Sequence, residues 1–184
     1  MHGTPLAQLQ LPDAWQARVQ ALADALLARR WTLAAAESCT GGLIAAACTA
    51  LPGSSHWFER GFVTYSNEAK AELLGVPWPL LQAHGAVSEP VARAMSEAAL
   101  ARSRADLALA VTGIAGPGGA VPGKPVGTVW LAWSVRQGAA DGEGRGVGVR
   151  TGVQRLQLDG DRARVRALTV ERALEQALAL ARGA

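Results

Sequence analysis

The spacing of apolar positions changes several times along the chain, and each change marks an element. After Asp13, an N-cap residue type, Trp15, Val19, Leu22, Leu26 and Leu27 recur at helical spacing, which predicts an amphipathic helix ending near Arg30. Trp31 to Ala36 is an unbroken apolar run of strand length. Glu37-Ser38-Cys39-Thr40-Gly41-Gly42 interrupts it, and an alanine-rich helix, Leu43 to Leu51, follows and stops at Pro52-Gly53. Trp57 to Tyr65 reads as a second strand. Asn67 is placed to cap a short helix ending around Gly75, with prolines 77 and 79 behind it. Ser88-Glu89-Pro90 combines a capping side chain, an early acid and an early proline, and so predicts a helix through about Arg102.

Leu107 to Thr112 reads as another buried strand, followed by a Gly/Pro loop, Gly113 to Gly127. Thr128 to Val135 and Gly146 to Leu158 look like paired strands joined by the Gly-rich turn Gln137 to Gly144. Asp159-Gly160-Asp161 caps a last helix, Arg162 to Ala181, with Val165, Leu168, Leu174 and Leu178 on one face. Strands alternating with helices predict an α/β sandwich with a parallel core and an antiparallel hairpin at one side. Residues 1–12 read as a flexible lead-in and 13–184 as a single domain without repeats. The chain is long enough to bury most of its apolar surface without staples.

Composition narrows the setting. Two cysteines, Cys39 and Cys48, give no disulfide framework, and His2, His56 and His84 show no ligand spacing, so no metal site is expected. No signal peptide opens the chain and no apolar run reaches the ~18 residues of a membrane span, which predicts a soluble, cytoplasmic protein without membrane partners. The net charge of +3 is too slight to indicate nucleic acid. The arginines from Arg145 onward lack stacking aromatics and read mostly as a solvated face. An Ala/Leu-rich surface predicts self-association into a homo-oligomer. Gly118-x-x-x-x-Gly123-Lys124 mimics a phosphate-binding P-loop, but Pro125 occupies the position of the magnesium-binding hydroxyl, and triphosphate hydrolysis is rejected.

The charge composition carries one chemical signal. Of eighteen basic residues only two, Lys70 and Lys124, are lysine, and Lys70 lies five positions after the only tyrosine, Tyr65. Arginine holds its proton, whereas lysine can be tuned into a base. Ligands gather at the carboxyl ends of strands in open α/β sheets, and three such ends carry hydroxyls here: Ser38 with Thr40, Tyr65 with Ser66, and Thr112 beside Gly113. The turn at Gly41-Gly42 lets backbone approach a ligand, and the N–H groups around Thr40-Gly41-Gly42 are candidates for an oxyanion hole. Ser38 is the first candidate nucleophile and Thr40 the second. Lys70, expected in the first turn of a helix where a cation is unwelcome, is the candidate base if it is also desolvated; the alternative is a solvent-facing lysine paired with Glu68 or Glu72. Arg162, directly after the Asp159-Gly160-Asp161 turn, is placed to reach a phosphate.

Ala36-Glu37-Ser38-Cys39-Thr40-Gly41-Gly42, Phe58 through Lys70 (FERGFVTYSNEAK), His84-Gly85-Ala86-Val87-Ser88-Glu89 and Thr112-Gly113-Ile114-Ala115-Gly116-Pro117 together resemble the CinA C-terminal-domain family. Lys124 to Val129 and Gly160-Asp161-Arg162 extend the likeness, which runs from about residue 14 to 181. The resemblance implies a three-layer α/β/α sandwich with a mixed, mostly parallel sheet. It also implies hydrolysis of the carboxamide of nicotinamide mononucleotide to nicotinate mononucleotide and ammonia, without metal or cofactor. Carried over by motif, Ser38 is the nucleophile, served by Lys70 and Tyr65, with Thr40, Gly41, Gly42, Thr112, Gly113 and Arg162 as substrate contacts. The rival reading keeps the pocket without the hydrolysis, as a nucleotide-binding module associated with competence and DNA uptake. The N-terminal pyrophosphatase-like domain of the larger family members is absent from this sequence, and the 116–122 loop has a composition of its own.

Overall fold

The computed structural model describes residues 12–137 and 148–183. Most of the expected lead-in, most of the Gly-rich turn after Gln137, and residues 146 and 147 lie outside the described residues. Six helices and five strands follow in the order α1 (Asp13–Ala28), β1 (Leu33–Glu37), α2 (Leu43–Thr49), β2 (Phe58–Val63), α3 (Asn67–Leu74), α4 (Trp78–His84), α5 (Glu89–Ala101), β3 (Leu107–Gly113), β4 (Thr128–Gln137), β5 (Gly148–Gln157) and α6 (Arg162–Arg182). The strands form one sheet in the order β2-β1-β3-β4-β5. β1 pairs in parallel with both β2 and β3, whereas β3–β4 and β4–β5 are antiparallel, so every strand except β4 runs the same way.

Each face of the sheet has its own core. Leu33, Leu107, Leu109, Val111 and Leu131 are buried with α1, α2 and α6, which contribute Leu22, Leu26, Ile44, Val165 and Leu174. The alternate positions, Ala34, Ala36, Ala108, Ala110 and Ala132, are buried with Val91, Ala92, Met95 and Ala99 of α5. The two-residue strand period separates large side chains from small ones, and the small face lets α5 lie close to the strands. Helices cover both faces, so the architecture is a three-layer α/β/α sandwich.

Three local expectations are corrected. A helix, α4, forms where prolines 77 and 79 suggested a break; Pro77 is its N-cap and Pro79 sits in its first turn, where a missing N–H costs nothing. Ser66, not Asn67, caps α3, its hydroxyl accepting from the Ala69 N–H at 3.0 Å. Ser88 holds the N-cap position of α5, but its hydroxyl donates to the Gly85 carbonyl at 2.8 Å instead of capping. The Asp161 cap of α6 forms as expected, accepting from the Arg164 N–H at 2.8 Å.

Topology positions the site. From β1 the chain crosses through α2 to β2 on one side, then returns through α3, α4 and α5 to β3 on the other. The crevice between the carboxyl ends of β1 and β3 is therefore the switch point at which open α/β sheets bind ligands. No described helix is long and apolar enough to cross a membrane.

Candidate active site

Ser38 follows the last residue of β1, and its N–H continues the sheet by donating to the Val111 carbonyl of β3 at 3.0 Å. Its hydroxyl is therefore held by the central strand itself. Lys70 enters from α3, where it is almost wholly enclosed, with 1% of its surface exposed. Its Nζ lies 2.9 Å from Ser38 Oγ and 2.7 Å from the Thr64 carbonyl oxygen. No carboxylate pairs with it among the described residues; Glu68 and Glu72, the expected surface partners, are exposed. Burial lowers the amine from 10.5 to about 8. The Nζ donates to both oxygens; an amine that has lost its proton keeps the contact with the Thr64 carbonyl and has a lone pair to turn to the Ser38 hydroxyl.

The rest of the Glu37–Gly42 turn is organised around a carboxylate. Glu37, fully buried, accepts from the Thr40 hydroxyl (2.7 Å) and from the N–H groups of Gly42 (3.0 Å), Ile44 (3.0 Å) and Ala45 (2.8 Å). The free N–H groups of the α2 terminus do attract an anion, as helix N-termini do, but the anion is the protein's own. The sequence reading passed over this residue; its signal was an acid ending an otherwise apolar strand directly before a helix. Two of the three expected oxyanion donors are engaged within the turn. Gly42 N–H is spent on Glu37 and Gly41 N–H on the Ser38 carbonyl at 3.1 Å. Those of Cys39 and Thr40 are the turn's donors not committed to another residue. Left-handed backbone at Gly41 (φ +60°) and Gly42 (φ +97°) explains why both are glycine. Thr40, fully buried with its hydroxyl on Glu37, does not line the pocket.

A cleft of about 220 Å³ opens over Ser38 and Lys70, with Tyr65, Val87, Thr112 and Arg162 in its wall. Tyr65 is 58% exposed, and its hydroxyl accepts from the Arg162 guanidinium at 2.6 Å rather than lying between Ser38 and Lys70. Arg162 also donates to the Gly116 carbonyl at 3.0 Å, so its fork is a cross-brace between loop and rim. Thr112 donates to the Ala86 carbonyl at 2.9 Å and thereby fixes the 85–88 segment that walls the pocket. Gly113 is a packing requirement: a Cβ there would come within 2.6 Å of Val129 and 2.9 Å of the Thr128 carbonyl. Cys39 lines the pocket, but burial pushes its thiol up to about 12, so it stays protonated and does not compete with Ser38. Arg166, expected on a solvated face, instead donates to the Thr40 carbonyl at 2.8 Å. Lys124 donates to the His84 carbonyl at 3.0 Å, away from any phosphate-cradling geometry. No group of metal-ligating side chains occurs among the described residues.

Residues 16–181 match the model of the CinA C-terminal domain. The chain belongs to that family. It is 53% identical over 145 residues to the nicotinamide-nucleotide amidohydrolase PncC of Pseudomonas putida, covering 79% of this chain and 83% of that protein. The PncC of Escherichia coli K12 is 56% identical over 115 residues, covering 62% of this chain and 70% of that protein. The crystal structure of the competence/damage inducible protein CihA from Agrobacterium tumefaciens superposes with a TM-score of 0.84 at 41% identity, over 93% of this chain and 98% of that one. Larger family relatives also match, and of these the chain spans only 25% to 37% of the length.

Proposed function

We propose that this chain is an amidohydrolase that converts nicotinamide mononucleotide to nicotinate mononucleotide and ammonia, with Ser38 as nucleophile and Lys70 as base. The observation that carries the reading is the 2.9 Å approach of a buried amine, paired with no carboxylate among the described residues, to a strand-end hydroxyl. Family membership supports it at the level of reaction class, since relatives of comparable length bear the amidohydrolase name.

Neutral Lys70 takes the Ser38 proton as Oγ attacks the carboxamide carbon, and the carbonyl oxygen becomes an oxyanion. The Cys39 N–H, on the residue after the nucleophile and in the pocket wall, is the donor for that charge; one such donor is typically worth ~3 kcal/mol in the transition state. Lys70 passes its proton to the amide nitrogen, the C–N bond breaks and ammonia leaves. Water then attacks the acyl ester, gives its proton to Lys70 and frees the carboxylate product, and the proton returns to Ser38. Direct contact between Ser38 and Lys70 favours transfer without Tyr65 as relay. The commitment of the Thr40 hydroxyl to Glu37 favours Ser38 over Thr40 as nucleophile.

The deciding assay supplies nicotinamide mononucleotide in the presence of a chelator and follows ammonia. Release by the wild-type chain and none by Ser38→Ala is expected; full release by Ser38→Ala removes the assignment. Binding of the nucleotide without any release would favour the competence-associated binding module instead.

A further inference from the structure

Among the described residues, four titratable side chains line the cleft over Ser38: Cys39, Tyr65, Lys70 and Arg162. Three of them are poorly placed to activate a water molecule. Arg162 does not give up its proton. The Cys39 thiol, pushed up to about 12 by burial, keeps its own. The Tyr65 hydroxyl is turned to Arg162 at the rim, 2.6 Å away. Glu37 adjoins Ser38 in the chain, but its two oxygens already accept four hydrogen bonds and it forms no part of the cleft wall. Lys70 is left as the base, with its Nζ 2.9 Å from Ser38 Oγ.

One base then has to serve both halves of a two-step hydrolysis. It gives a proton to the departing amine, and later takes one from the nucleophile that opens the ester. Both transfers run through the same Nζ, so the incoming nucleophile stands where ammonia stood. A place from which an amine leaves is also one that an amine can enter. The described wall holds no carboxylate to attract an ammonium ion, and the Arg162 cation opposes one. Ala86, Val87 and Ala115 supply apolar wall, and the volume of about 220 Å³ falls below the ~300 Å³ at which sites for drug-sized ligands begin. With a carboxamide-bearing ring inside, the space beside the acyl carbon suits a nucleophile of a few atoms and no charge.

We propose that the chain is also an acyltransferase, passing the acyl group from Ser38 to small uncharged amines in competition with water. This rests on the deamidase reading and the acyl-enzyme within it. The amine nitrogen attacks the ester carbon and gives one proton to Lys70. The C–O bond to Ser38 breaks, and Lys70 returns that proton to Oγ. A substituted amide replaces the free carboxylate as product, and no other reactant enters the balance.

The test incubates the chain with nicotinamide mononucleotide and hydroxylamine and follows ammonia, nicotinate mononucleotide and its hydroxamate by mass spectrometry. The hydroxamate should rise with hydroxylamine at the expense of nicotinate mononucleotide, the two together matching the ammonia released. It should reach at least about tenfold the amount formed with Ser38→Ala. O-benzylhydroxylamine, an uncharged amine too bulky for the cleft, should give no conjugate. Ammonia release with nicotinate mononucleotide as the sole acyl product would overturn the proposal and leave the deamidase reading standing. Equal hydroxamate with Ser38→Ala would overturn it as well, as would equal transfer to both amines, since the acceptor would then not occupy the place of ammonia. No ammonia in the absence of hydroxylamine would remove the deamidase reading and the proposal with it.

Discussion

Glu37 and Lys70 are both buried charge-bearing residues near Ser38, yet the protein treats them in opposite ways. Around Glu37, four donors converge on two oxygens, three of them backbone N–H groups of the α2 terminus. Around Lys70 there are a carbonyl and a hydroxyl and, among the described residues, no paired carboxylate. Burial costs a charge several kcal/mol unless hydrogen bonds or partners replace water. Glu37 has that replacement and so acts as a scaffold. Lys70 lacks it, and the proton becomes easier to remove. The proposed reactivity of the site rests on what was withheld from the lysine.

Removing either reactive group should break the contrast most severely. Ser38→Ala and Lys70→Arg are each expected to lower kcat by about 10³-fold or more, measured as ammonia release. Lys70→Arg keeps the charge but cannot accept a proton, so wild-type rates in that variant would show the base role to be mistaken. The scaffold side predicts loss of stability rather than of chemistry. Glu37→Gln replaces a charged acceptor with an amide that carries its own donors, and should cost roughly 3–5 kcal/mol in denaturant unfolding. A cost below ~1 kcal/mol would place the support of the α2 terminus elsewhere.

The titration sharpens the comparison further. In the proposed mechanism the neutral amine is the active form, so kcat/KM should rise with pH, inflect near the lowered value of about 8, and fall roughly tenfold per unit below it. An inflection near the ordinary lysine value of 10.5 would mean that burial does not tune Lys70. The smallest effect is expected at Tyr65. Its hydroxyl meets Arg162 at the rim, so Tyr65→Phe should cost less than about tenfold in kcat/KM. A loss equal to that of Lys70→Arg would make the tyrosine a proton relay after all.

Much of this was legible in one dimension. Apolar patterning together with capping and proline signals marked the five strands and five of the six α-helices of the described residues, because both are local properties of the chain. The rarity of lysine singled out Lys70, and hydroxyls at strand ends singled out Ser38. Helix α4 was hidden because Pro77 and Pro79 break a helix or begin one according to what packs behind them.

What the linear order of residues determined by itself was the set of elements, the family, and the chemical types available at the strand ends. What only the tertiary structure decided was which of those groups meet. Glu37 met the α2 terminus and thereby took the Gly42 N–H, one of the donors expected to hold an oxyanion. Arg162 met Tyr65, and Arg166 met the Thr40 carbonyl. Desolvation of Lys70 required α3, β1 and β2 to close around it. Burial and pairing are sums over neighbours distant in the chain, and those sums exist only once the sheet and its two helical layers have packed.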